Sequence, residues 1–267
     1  MIMSFVQALD NSVNSAVSVL TEDLFTGAMY NLANTIREDI RPIAITILSL
    51  CFVIEFLNIL IHQDLLKWET GFKVGAKLVL TYVALDISSQ LMEAIYATGS
   101  NLIGDVVSAV GTVNSDMGAL ISDNLRAAMS GLGIIKMIGL LATVGFGFLI
   151  IWLAGVVIMV MAYGRSIELL LHIAIAPIPC AFLILEDHHA SRIFWKFTMS
   201  FAANCLQGFF IVLSIGLYNV LVSKIMHDAI QSGAELATIV GGLLLGSIVL
   251  VVTVVKSGSI AKSILDA

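Results

Sequence analysis

The sequence predicts an all-α integral membrane protein: a bundle of five or six transmembrane helices behind an N-terminal amphipathic helical segment. Three observations predict it. Of 267 residues, 59% are hydrophobic and only 12% charged, against about half and about a quarter in a typical soluble chain. Too few charges remain to clothe a water-facing surface of that size. Mean hydropathy is +1.01, and several apolar runs reach the roughly 20 residues that a helix needs to cross about 30 Å of hydrocarbon. The formal charge of −6, with 13 Lys and Arg spread widely, excludes a surface that wraps nucleic acid through clustered cations.

Five segments follow in order: 1–41, 42–95, 96–133, 134–256 and 257–267. In the first, Ile2, Phe5, Val6, Leu9, Val13, Val17 and Leu20 recur at helical spacing, with Ser4, Gln7, Asp10, Asn11 and Asn14 opposite. Thr21 before Glu22 and Asp23 reads as the cap of a second amphipathic helix over 22–40. Neither helix has a basic residue before Arg37, so packing on a neighbouring protein surface is favoured over anchoring to lipid charge. A basic n-region is likewise missing, and insertion is expected to rely on the internal apolar runs. Pro42 suits the first turn of a spanning helix over 42–61. The second span, 71–95, is interrupted by Lys73, Lys77, Asp86 and Glu93.

Residues 96–133 are rich in Gly, Ser, Asn and Asp but keep helical stripes (Leu102, Val106, Val110; Met117, Leu120, Ile121, Leu125). They read as a connection of short amphipathic helices. The apolar block holds 137–163 without a charge, a joint at Gly164–Arg165, then 166–185, 197–222 and 236–255. A second reading makes 137–185 one long helix that breaks at its prolines, which leaves five spans rather than six. A short basic tail with Lys256 and Lys262 closes the chain. The three cysteines, Cys51, Cys180 and Cys205, lie in apolar stretches and read as free buried thiols.

A charge at mid-membrane costs about 2.5–3.5 kcal/mol on insertion scales, so each retained ionisable group needs a partner, water or a place near the surface. Arg165, Glu168 and His172 fall three and four residues apart, on one face if the helix continues through them. Pro177 and Pro179 remove backbone donors and free carbonyls a turn earlier, which membranes tolerate only inside protein or along a wet cavity. With Gln207 these residues form either a polar lining or hinge, or an ionic tie between helices. Glu55 and Asp86 are a candidate intramembrane pair. Gly242 and Gly246 form a G-x-x-x-G pattern suited to close helix packing. No metal-ligand spacing, P-loop, nucleophile elbow or dinucleotide fingerprint occurs, so neither enzyme chemistry nor a metal or other cofactor is expected.

The stretch 163–222 combines Arg165, Ile167 and Glu168, the Ala176-Pro177-Ile178-Pro179 break, and Gln207-Gly208-Phe209-Phe210 followed by Tyr218. This combination resembles the TrbL family (also called the VirB-six family), the polytopic membrane component of conjugative type IV secretion systems, and most of all its short Gram-positive-type members. The resemblance implies a multi-pass protein of the bacterial cell membrane that assembles with itself, about five copies together, at the base of the secretion channel. It implies contact with the secretion ATPase, other membrane subunits and lipids, and support for passage of single-stranded DNA with its relaxase. The acidic balance implies in turn that any wall facing DNA binds it weakly, and a scaffold fits as well as a conduit.

Two other classes compete. A secondary transporter or ion channel would use Glu55, Asp86, Glu168 and His172 as a coupling path, although no internal repeat supports it. A membrane scaffold without a transported substrate needs only packing faces. Over six spans the distribution of basic residues favours both termini in the cytoplasm, whereas the family resemblance places the middle connection outside.

Overall fold

The structure, a computed structural model, describes residues 15–20, 27–62, 68–110, 134–185, 188–232 and 236–265. Every element in it is helical: α1 Ala28–His62, α2 Trp68–Asp86, α3 Ser88–Val110, α4 Ile134–Ile175, α5 Pro177–Ala181, a 3-10 turn Phe182–Ile184, α6 His188–Ser232 and α7 Leu236–Leu265, with a helical stretch at 15–20. Among the described residues, four helices are long and apolar enough to cross a membrane: Ala28–Asn58, Trp152–Ile184, Arg192–Val222 and Leu244–Leu265. A fifth crossing arises if α2 and α3, bent by 56° at their junction, count as one span. Among the described residues the count is therefore four, or five with the bent pair.

Gly164 and Arg165 are not a joint, which is the second of the two readings of 137–185. Helix α4 runs unbroken through them for 42 residues, roughly 63 Å at 1.5 Å per residue. A helix tolerates one glycine at about 1 kcal/mol against alanine, and Ala162 and Arg165, buried before and after Gly164 on the same helix, offset that. The chain turns only at Ala176, where Pro177 opens α5 and Pro179 follows. Both prolines are buried, in the first turn of a helix, where no backbone donor is needed.

Three other boundaries also move. Pro42 lies inside α1 rather than starting a helix; one lost backbone bond is offset by Ala44, Leu48 and Cys51, buried on the same helix. Residues 96–110 continue α3, and 111–133 of the expected connection lie outside the described residues, as do 1–14 and 21–26 of the amphipathic segment. The basic tail is helical to Leu265, because Val254, Ser257 and Ala261 continue a buried stripe at helical spacing.

The chain forms two compact units. One holds residues 1–22, 100–165 and 207–260, and the other 23–99, 166–206 and 261–267. In the first, Ala16 and Leu20 pack with Ile103, Ile158, Ala162, Ile211, Ile215, Leu250 and Val254. In the second, one cluster gathers Ala44, Leu48, Cys51, Leu85, Cys180, Ile184 and Phe194, and another Met92, Tyr96, Leu169, Ile173, Phe201 and Cys205. All three cysteines are free and buried. Buried apolar surface contributes about 25 cal/mol per Å² where water is the alternative; between helices in lipid, close packing takes over that role.

Candidate functional site: buried polar groups seated on glycines

In the first unit, Arg165 of α4 is only 2% exposed although it carries a full charge. Its guanidinium lies over Gly208 of α6, where a Cβ would stand 2.7 Å from Nε. Glycine at 208 is therefore what admits the planar head group. The adjacent residue Gln207, 7% exposed, presents its amide to Gly258 of α7, where a Cβ would stand 3.3 Å from Nε2. Beside it, Ser257 Oγ donates to the Val254 carbonyl at 2.6 Å. Arg165, Gln207–Gly208 and Ser257–Gly258 thus form one polar layer across three helices, within the candidate spans.

The same two helices meet at a second seam. Tyr218 of α6 lies over Gly246 of α7, where a Cβ would stand 3.2 Å from Cε2, and its hydroxyl lies 3.1 Å from Ser247 Oγ. Gly242 faces Ile225, whose Cγ2 would be 2.8 Å from an added Cβ. Both glycines of the G-x-x-x-G pattern therefore meet α6 of their own chain. Gly242→Ala should cost about 1–2 kcal/mol by overpacking. Gly241→Ala, with nothing within 4 Å, should be neutral or stabilising by up to about 1 kcal/mol. Paired thermal melts of the solubilised variants check this, and equal melting points would remove the assigned role of Gly242.

In the second unit, Glu168 is exposed, so Arg165 and Glu168 differ in burial despite their spacing. His172 Nδ1 donates to the Glu168 carbonyl at 2.7 Å, and its ring packs against Phe197 and Phe201 at centroid distances of 5.2 and 5.9 Å. The imidazole thus serves helix packing here.

Glu55 and Asp86 do not pair with one another. Glu55, 4% exposed, faces Lys77 at 3.7 Å, and Asp86 is bound to Arg41, which also reaches Glu38 at 3.7 Å. Two carboxylates repel, whereas a cation on the facing helix lowers the energy of each. The two pairs join α1 to α2 as an antiparallel hairpin: 55 meets 77 and 41 meets 86. Sequence reading paired the two acids with each other and assigned neither its cation, because the register of a hairpin is invisible until the two helices are laid side by side. Gly208 and Gly258 were missed as seats; a glycine directly after a polar residue in an apolar run, as in Gln207-Gly208 and Ser257-Gly258, was the available signal. Among the described residues no group of three or more His, Cys, Asp or Glu could hold a metal ion.

Long apolar helices with their polar groups buried against glycine or tied in ion pairs define a multi-pass helical membrane protein held together by packing. The family model described as "TrbL/VirB6 plasmid conjugal transfer like protein" matches residues 10–177. That is well over half of the chain, and the chain belongs to this family: it is a membrane component of a conjugal transfer system. The match takes in Arg165, Glu168, His172 and Pro177 and stops before Gln207 and Gly208. Comparison with curated proteins and with solved structures returned no match.

Proposed function

We propose that the chain is a channel or platform subunit of a conjugative type IV secretion system. In this reading it assembles with itself, docks the secretion ATPase and other membrane subunits, and supports transfer of a DNA–relaxase substrate. One observation carries it beyond family membership: the polar layer of a single copy is closed. Arg165 and Gln207 are almost wholly buried on glycines, so in this reading one copy offers packing rather than a wet path, and a conduit arises between copies. The long helices suit that role, since α6, with 45 residues, is roughly 67 Å long against about 30 Å of hydrocarbon. Length of that order can reach partners outside the bilayer.

The first experiment is the mass of the full chain in detergent or nanodiscs. A discrete assembly of several identical copies, about five by the family resemblance, is the expected result. A stable monomer that conducts ions or protons alone would overturn this reading in favour of a transporter.

A further inference from the structure

We propose that the outer face at the start of α6, formed by Arg192, Trp195 and Lys196, binds the phosphate of an anionic phospholipid. The site lies apart from the polar layer described above and does not depend on how many copies assemble. At 100° per residue the three positions fall within an arc of about 100° on the helix. Phe194 and Phe201 fall on the opposite side and are buried, which turns the arc outward. Arg192 and Lys196 are exposed, and Trp195 is 56% exposed. Phe194 meets the Trp195 ring edge-on, with centroids 5.7 Å apart, so the indole is braced from the buried side.

The two cations are surplus charge. Neither makes an ion pair among the described residues. Phe194 shares a cluster with Ala44 and Leu85, close along their own helices to the Arg41–Asp86 pair. Glu38 in turn is held by Arg37 and Arg41. Asp86 and Glu38 thus have cations of their own, and the charge on the α6 face is left for a ligand.

The sequence sets the height of that face. No charged residue occurs from 197 to 223, a stretch of about 40 Å as helix against about 30 Å of hydrocarbon. Lys196 is the last charge before it and stands at the hydrocarbon edge or just beyond, where lipid phosphates lie. The three side chains suit that zone. Trp is favoured at the interface, with its ring against the chains and its N–H toward water. A guanidinium offers a phosphate two parallel donors. The ammonium one turn on is a point charge on a flexible stem, able to reach the same group. A zwitterionic headgroup brings a cation of its own to such a site, whereas an anionic one does not, so the anionic lipid is preferred.

The test uses the full chain carrying Trp68→Phe and Trp152→Phe, which leave Trp195 as its single indole. Vesicles of phosphatidylcholine contain a minority of phosphatidylglycerol, and each lipid in turn carries bromine high on its acyl chains to quench a neighbouring indole. Per lipid, the brominated phosphatidylglycerol should quench at least about threefold more than the brominated phosphatidylcholine, a ratio that added salt lowers. Arg192→Gln/Lys196→Gln should bring the ratio to about one with helix content unchanged. Lys256→Gln, exposed on α7, should leave it as it was. In the chain with all three indoles, native mass spectrometry should count fewer retained phosphatidylglycerol molecules after Arg192→Gln/Lys196→Gln. A ratio near one in the starting protein, or one that survives the double substitution, overturns the site. An indole that no lipid quenches is covered by protein and overturns it too. Loss of the preference in millimolar inorganic phosphate at constant ionic strength would make a free anion, not a lipid, the occupant.

Discussion

Replacing Gly208 with alanine should lower the melting temperature of the solubilised protein by about 6–12 °C. The new Cβ would stand 2.7 Å from Nε of Arg165, well inside contact distance, and although the guanidinium ends a flexible side chain, at 2% exposure it has little room to move aside. Overpacking alone costs about 1–3 kcal/mol, and disturbing a buried charge raises the loss to about 3 kcal/mol or more. At about 2–4 °C per kcal/mol for a chain of this size, the range follows. A double-mutant cycle isolates the cause. In an Arg165→Ala background the overlap is gone, and Gly208→Ala should then cost less than about 1 kcal/mol. An equal loss in both backgrounds would show that the glycine is not the seat of the guanidinium.

The second large effect is expected at the α1–α2 hairpin. Lys77→Met removes the cation 3.7 Å from a carboxylate that is only 4% exposed. Breaking a buried pair from one side costs about 3–5 kcal/mol; since Lys77 is about a quarter exposed, about 2–3 kcal/mol is expected here. Glu55→Leu/Lys77→Met should recover to within about 1 kcal/mol of wild type, because well-packed apolar side chains replace such pairs without loss. Denaturation of the three proteins in one detergent measures this. A double variant as unstable as Lys77→Met would mean that Glu55 contributes through contacts other than Lys77.

Composition and periodicity revealed the helical membrane class, and Arg165 with Glu168, the Pro177–Pro179 break and Gln207-Gly208-Phe209-Phe210 together pointed to the family. Those signals are local: an apolar run or a proline break is written within twenty residues. Junctions were less legible. Gly164–Arg165 reads as a polar joint because a charge normally ends an apolar run, yet Gly208, 43 positions later, provides the space that keeps the helix intact. Pro42 reads as a helix start for a similar reason, and buried neighbours on its own helix carry it through. The partners of Glu55 and Asp86 depend on register between two helices, which no window along one helix contains. Gly258 was placed in a tail because Lys256 and Lys262 look like a polar ending; only the buried stripe of Val254, Ser257 and Ala261 shows that the helix continues.

The unbroken course of α4 also has a mechanical consequence. A hydrogen-bonded rod of 42 residues, roughly 63 Å long, turns a small tilt into a large stroke. Pivoting it by about 5° about one end moves the other by about 5 Å, close to one helical pitch. A hinge at Gly164, which the polar joint would have supplied, would absorb such a tilt locally. With the joint closed, α4 has no such hinge, and its course runs without a break from Ile134 to Ile175.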